Sequence, residues 1–210
     1  MNVIVITGGS RGIGASAALH CARRGMGVIL TYNDNLAAAQ GIVGRITEEG
    51  GKAVAQKLDV GAPATFSVFR DDVAQVLNDV WSQGVISGLV NNAGFGLYNP
   101  LADVTEDQFD RLMNVHLKGP FFLTQALLPL MGDGASIVNL TSATTRVATA
   151  GVAPYAAFKG GLEVLTRYMA KEFAVRRIRA NAVSPRAIRT ELGGGLTSDF
   201  EALLASHTAL

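Results

Sequence analysis

Tyr155 and Lys159, four residues apart in the stretch Pro154-Tyr155-Ala156-Ala157-Phe158-Lys159, are the side chains of this sequence best spaced to move a proton. The recurrence of Leu162, Leu165, Met169 and Phe173 predicts a helix from Tyr155 to Ala174, on which residues four apart share a face. A phenol ordinarily loses its proton at about pH 10, and an ammonium held beside it favours the phenolate and lowers that value. Tyr155 could then trade a proton near neutrality. Interconverting a carbonyl and an alcohol needs such a group, as an acid toward the oxygen in reduction and a base in oxidation.

A Tyr–Lys pair by itself is common on solvated helix faces, so the surrounding elements must show what would be brought to it. The run Val3-Ile4-Val5-Ile6 reads as a strand and opens directly into Thr7-Gly8-Gly9-Ser10-Arg11-Gly12-Ile13-Gly14, ahead of an Ala-rich helical segment ending near Arg24. Strand, glycine turn and helix in that order suit a dinucleotide. The backbone can approach a pyrophosphate closely, and the helix start offers unpaired N–H groups and a positive dipole end. A second strand, Val28 to Thr31, leads to Tyr32-Asn33-Asp34. Sheets of this plan that take NAD place a carboxylate there for the ribose 2′-hydroxyl. Here Tyr32 and Asn33 offer uncharged donors, while Arg11 supplies a guanidinium for a 2′-phosphate. NADP is therefore expected in preference to NAD, with Asp34 as the nearby competing carboxylate.

The alternation continues with a helix from Asn35 to Glu49 and a strand from Ala53 to Leu58 that closes at Asp59-Val60. A helix carrying Phe66, Phe69, Val73, Val76 and Leu77 comes next, then the strand Gly88-Leu89-Val90, which runs into Asn91-Asn92-Ala93-Gly94. The loop Phe95 to Pro100 is expected to line a substrate cavity. A capping box at Thr105 to Gln108 precedes a long helix from Gln108 to Leu130, adjusted at Gly119-Pro120. The strand Ser136 to Leu140 ends at Thr141-Ser142, and a sixth strand, Ile178 to Val183, precedes Ser184-Pro185-Arg186-Ala187-Ile188-Arg189-Thr190. A mobile loop at Gly193 to Gly195 and a helix from Ser198 to Leu210 complete the reading. The fold class this predicts is α/β, a Rossmann-type doubly wound parallel sheet with helices on both faces, in one domain spanning 1–210.

Composition agrees with one compact domain, since 49% of the 210 residues are hydrophobic and 17% charged. The formal net charge of +1 provides no field to recruit nucleic acid or an anionic membrane, and no run reaches the roughly 20 apolar residues of a membrane span. The chain starts directly on a strand-like run without a leader, so a cytoplasmic location is expected. Its single cysteine, Cys21, excludes an internal disulfide and reads as a packed thiol. His116 reads as structural, because nothing adjacent in sequence is set to orient it, and no metal site is expected.

These motifs together resemble the short-chain dehydrogenase/reductase family, particularly its 3-oxoacyl-carrier-protein reductase and sugar dehydrogenase branches. The resemblance rests on Thr7-Gly8-x-x-x-Gly12-x-Gly14, Asp59-Val60, Asn91-Asn92-Ala93-Gly94, Asn114, Ser142, Tyr155-x-x-x-Lys159 and Pro185-x-x-Ile188-x-Thr190, in this order along nearly the whole chain. It implies that Tyr155 is the acid/base and that Ser142 holds the substrate oxygen. Lys159 would lower the tyrosine and hold the nicotinamide ribose, and Asn114 would position a relay water. It further implies adenine contact at Asp59, the adenosine ribose region at Asn91 to Gly94, and the carboxamide at Ile188 and Thr190. Arg186 stands where members usually carry glycine. The chain stops at Leu210, short of the final helix and strand that members normally add, so a domain truncated at its C-terminal end is expected.

The expected substrate is a small carbonyl or alcohol, with 3-oxoacyl thioesters first and sugars, polyols or other ketones after. A catalytically silent dinucleotide-binding or sensor protein on the same fold is the alternative. The apolar surplus on the helices 108–130 and 155–175, counted as Phe121, Phe122, Leu127 and Leu128 with Phe158, Leu162, Leu165 and Met169, suggests a homodimer through those helices. A longer form would reach a tetramer.

Overall fold

The computed structural model describes residues 1–188, 190, 198 and 202. The expected loop at Gly193 to Gly195 and most of the expected terminal helix therefore lie outside the described residues. The strands are β1 (Val3–Ile6), β2 (Gly27–Tyr32), β3 (Ala53–Lys57), β4 (Ile86–Asn91), β5 (Met131–Leu140) and β6 (Arg179–Val183). All pair in parallel in the order β3-β2-β1-β4-β5-β6. This is the doubly wound arrangement read from the sequence.

Side-chain parity divides the core into two layers, because successive residues of a strand point to opposite faces. Ile4, Ile6, Val28 and Leu30 pack against α1 (Gly12–Arg23) and α2 (Leu36–Glu48). Val3, Val5, Ile29 and Leu89 face α3 (Phe66–Trp81), α5 (Gly119–Leu127) and α6 (Ala153–Glu172). Strand order reverses between β1 and β4, which opens a crevice beyond the carboxyl ends of these two strands. The glycine turn and Asn91 to Gly94 both emerge there.

Two elements differ from expectation. The long helix is divided into α4 (Glu106–Met113), a π-helical turn over Asn114–Lys118, and α5. Pro120 has no N–H for the carbonyl four residues back, and the register slips so that the Gly119 N–H bonds the Asn114 carbonyl instead. Strand β5 begins at Met131, five residues before the expected start, where Met131 pairs with Ile86 through a register irregularity. The capping box at Thr105 is formed as read, with Thr105 and Gln108 bonded reciprocally.

Candidate active site

The glycine turn is held against the end of β4 by a compact polar brace. Thr7 Oγ1 accepts the N–H groups of Asn92 and Ala93, both at 2.9 Å, and donates to the Val90 carbonyl. The Asn92 amide donates to the carbonyls of Thr7 and Gly8. A Cβ on Gly14 would come within 2.3 Å of the Gly8 carbonyl oxygen, and one on Gly8 within 2.8 Å of Ala93 Cα. Glycine at these positions lets the turn lie flat on β4 and points the start of α1, which carries no acidic residue in its first turn, into the crevice.

Several side chains expected to bind cofactor have other work. Thr7 is buried in the brace, Asn92 is committed to the turn, and Val60 belongs to the core. Asn91 is 4% exposed, and its amide donates to Asn139 and Thr124 within a buried network continued by Asn139 to Thr166. What these four offer a ligand is backbone. Gly8, Ser10, Arg11, Gly12 and Ile13 form the turn on one side of the crevice, with Ala93 and Gly94 opposite. Thr190 comes against Gly12, and Asp59 is exposed with one carboxylate oxygen closing a turn onto the Gly61 N–H. At the end of β2, Tyr32 is half-buried and the Asn33 amide bonds Asp34. Thr31, unflagged in sequence, receives the Gly8 N–H on its hydroxyl and the Gly9 N–H on its carbonyl, which couples β2 to the turn. The cradle and its positive helix end fit a dinucleotide pyrophosphate.

Across the crevice, α6 begins at Ala153, two residues before the expected start, because Pro154 is tolerated where a helix N–H has no partner. Tyr155 therefore sits in the first turn and Lys159 one turn on. The Lys159 ammonium is buried, donates to the Leu140 carbonyl at 2.6 Å, and lies 5.7 Å from the centre of the Tyr155 ring. Ser142 follows β5 and its Oγ accepts both the N–H and the hydroxyl of Thr144, at 3.2 and 2.9 Å. The Ala143 N–H bonds the Pro185 carbonyl, which brings the segment carrying Ile188 beside Ser142. The π turn bearing Asn114 packs on α6, with Leu117 against Gly161.

The electrostatics correct one expectation. Burial pushes the Tyr155 hydroxyl above its ordinary value, and a hydrogen bond with Ser142 pulls the other way; Lys159 is not what lowers it. Lys159 itself is pushed down to about 8 by burial. His116 is buried with Nε2 2.9 Å from the Phe95 carbonyl, so that nitrogen carries the proton, and its ring meets the Tyr155 ring edge-on at 4.9 Å. Burial first, and then the Lys159 charge, hold His116 down to about 3. It is a neutral wall of the site. Cys21 is half-buried with its thiol raised by burial, as a packed residue should be.

The loop after β4 forms one rim of the site. Phe95 meets His116 at a tilt of 41° with ring centres 5.5 Å apart, the Asn99 N–H bonds the Gly151 carbonyl at 2.8 Å, and Tyr98 lies over Gly151 while remaining 74% exposed. Leu101 and Val147 are exposed beside these segments. Among the described residues, no helix is long and apolar enough to cross a membrane.

Residues 8–210 match the family described as enoyl-(acyl carrier protein) reductase. A probable tetrahydroxynaphthalene reductase of Zymoseptoria tritici is 33% identical over 94% of this chain and 72% of its own length. A 3-oxoacyl-[acyl-carrier-protein] reductase of Staphylococcus epidermidis is 34% identical over 94% of this chain and 79% of its own. Among solved structures, the angucycline C-6 ketoreductase LanV with bound NADP superposes with a TM-score of 0.94, at 30% identity over 99% of this chain and 81% of that one.

Proposed function

Because the chain belongs to the short-chain dehydrogenase/reductase family, and is thus an NAD(P)-dependent oxidoreductase of the carbonyl-reducing kind, we propose that it reduces a flat, apolar aromatic ketone with NADPH as hydride donor. Tyr155 gives its proton to the carbonyl oxygen as that oxygen gains charge. Its raised pKa keeps it protonated at neutral pH, the state an acid catalyst for reduction needs. Ser142 hydrogen-bonds the same oxygen. Thr144 donates to Oγ twice, so the Ser142 proton is directed toward Tyr155, with which it hydrogen-bonds, and toward the oxygen that Tyr155 serves. Lys159 holds the nicotinamide ribose, and Asn114 orders a water that reprotonates Tyr155. A silent dinucleotide-binding protein would have no use for these four together.

Arg11 is assigned to the 2′-phosphate and Tyr32 and Asn33 to the adenosine ribose. Gly8 to Gly14 take the pyrophosphate, Asp59 the adenine, and Ile188 and Thr190 the carboxamide. The bound reductase LanV is crystallised with NADP, which supports the same coenzyme here.

The assembly that suits this surface is a homodimer through the helices 108–130 and 155–175, although the side chains concerned change. Leu127, Phe158, Leu162 and Met169 are core residues and supply no surplus. Phe121 and Phe122, in ring contact at 5.0 Å, are exposed on α5, and Val164 and Tyr168 on α6.

The observation that carries the substrate assignment is the aromatic rim, where Phe95 meets His116, whose ring packs edge-on against Tyr155, and exposed Tyr98 lies over Gly151. Two of the proteins this chain resembles are named for polycyclic aromatic substrates. A 3-oxoacyl thioester is the second reading, favoured by the carrier-protein reductase relative and by exposed Arg186, which follows the Pro185 tied to Ala143. Loss of NADPH absorbance with 1-tetralone and phenanthrenequinone against acetoacetyl-coenzyme A tests the choice. Faster turnover of the aromatic ketones supports the assignment, and faster turnover of the thioester replaces it.

A further inference from the structure

Glu163 lies on α6 one turn beyond Lys159, so Tyr155, Lys159 and Glu163 succeed one another along one helix face. It is a half-buried acid between Leu162 and Val164, with 19% of its side chain exposed. Its Oε1 accepts the hydroxyl of Thr141 at 3.2 Å and that of Thr145 at 3.0 Å. These threonines flank the segment containing Ser142. Each hydroxyl also faces a backbone carbonyl, Val183 for Thr141 and Ser142 for Thr145, so each proton is shared between the acid and the main chain. Arg146 adds an exposed ion pair at 3.8 Å, which contributes little in water.

The span between the two threonines is the short turn that seats Ser142. Within it the Thr144 N–H bonds Ser142 Oγ, the Thr145 N–H bonds the Ser142 carbonyl, and the Arg146 and Val147 N–H groups bond the Ala143 carbonyl. All of these contacts are local to the turn. The Glu163 bracket, like the Lys159 bond to Leu140, instead fixes the turn to the helix that carries the acid.

We propose that Glu163 is a positioning residue, whose Oε1 fixes the Ser142 turn to α6 and so sets the distance between the Ser142 and Tyr155 hydroxyls. This rests on the reading of Ser142 and Tyr155 given above. The bracket needs an acceptor oxygen rather than a charge, since what Oε1 receives are two neutral hydroxyl donors, Thr141 and Thr145.

The test compares Glu163→Ala, Glu163→Gln and Thr145→Val with wild type, using NADPH and phenanthrenequinone as probe. Misplacing a reacting group by a fraction of an ångström should lower kcat about 10-fold in Glu163→Ala, with the NADPH dissociation constant changed less than about twofold. Glu163→Gln keeps the acceptor and should recover kcat to within about threefold with an unchanged pH profile. Thr145→Val should move the same way as Glu163→Ala, and the double variant should be no worse than Glu163→Ala alone, because one bracket is broken once. Amide exchange at Thr144 to Val147 should quicken in Glu163→Ala and not in Glu163→Gln.

Wild-type kcat in Glu163→Ala, or equal damage from Gln and Ala, overturns the proposal. If Glu163→Ala does not fold, Thr145→Val carries the test, and wild-type kcat and exchange there overturn it. Tyr155→Phe measured alongside keeps two failures apart. If only Tyr155→Phe loses turnover, the inference about Glu163 fails alone; if Tyr155→Phe keeps turnover, the proposed function fails and this inference with it.

Discussion

Lys159 donates to the carbonyl of Leu140 across 2.6 Å, tying the helix that carries Tyr155 to the last residue of β5. Two residues later the chain reaches Ser142. A buried ammonium with this one carbonyl is incompletely compensated, which is why burial lowers it to about 8. The bond thus fixes sheet to helix and holds the ammonium 5.7 Å from the centre of the Tyr155 ring.

Coenzyme preference should depend on Arg11. Arg11→Ala is expected to weaken NADPH by about 10-fold or more while leaving NADH nearly unchanged, since only the former loses a charge-assisted contact. Titration calorimetry with both cofactors measures this. Equal dissociation constants in the wild type would remove the basis for the assignment, and would point to Asp34 as the residue that decides.

His116 should shape acid stability. Its ordinary value of 6.5 falls to about 3 in the fold, so between these pH values the unfolded chain takes up a proton that the folded chain refuses. Stability is then present in full above pH 6.5 and falls toward pH 3, by at most about 1.4 kcal/mol per pH unit for one proton. Urea unfolding of wild type and His116→Gln at several pH values gives both slopes. The variant should be weaker at neutral pH and show the shallower acid limb; parallel limbs would mean that His116 titrates normally.

The exposed aromatics of α5 and α6 should decide assembly. Tyr168 is 62% exposed and Phe121 42%, an apolar face that a second copy can cover. Light scattering should report a dimer for the wild type and a monomer for Phe121→Glu with Tyr168→Glu. A monomeric wild type at micromolar concentration would contradict the helix-pair interface.

Tyr155 and Lys159 were legible because an i, i+4 spacing survives any reasonable placement of the helix ends. The parallel sheet was legible because β-branched runs alternated with 3.6-residue periodicity. The π turn was not, since Pro120 announces a disturbance without saying whether the helix kinks, ends or slips by a residue. The early half of β5 was hidden by Gly132, Asp133 and Gly134, which read as turn residues and are held in the strand by pairing. Leu162 and Met169 belong to the core and not to a surplus apolar face, for a related reason. Periodicity shows that a helix has an apolar face, but not how many neighbours cover it, and α6 packs against α4 as well as the sheet. Asn91 followed the same pattern, with its polarity serving a buried ladder to Asn139. Glu163 could have been flagged by its spacing of eight from Tyr155, but its threonine partners lie across a loop that sequence does not fold.

The most direct test of the account is the turnover of Tyr155→Phe with NADPH and an aromatic ketone, measured with the NADPH dissociation constant. The variant loses only a hydroxyl and keeps the ring that packs on His116. Turnover should fall by about 10²-fold or more with cofactor affinity preserved. Turnover equal to wild type, in protein that still binds NADPH, would contradict it.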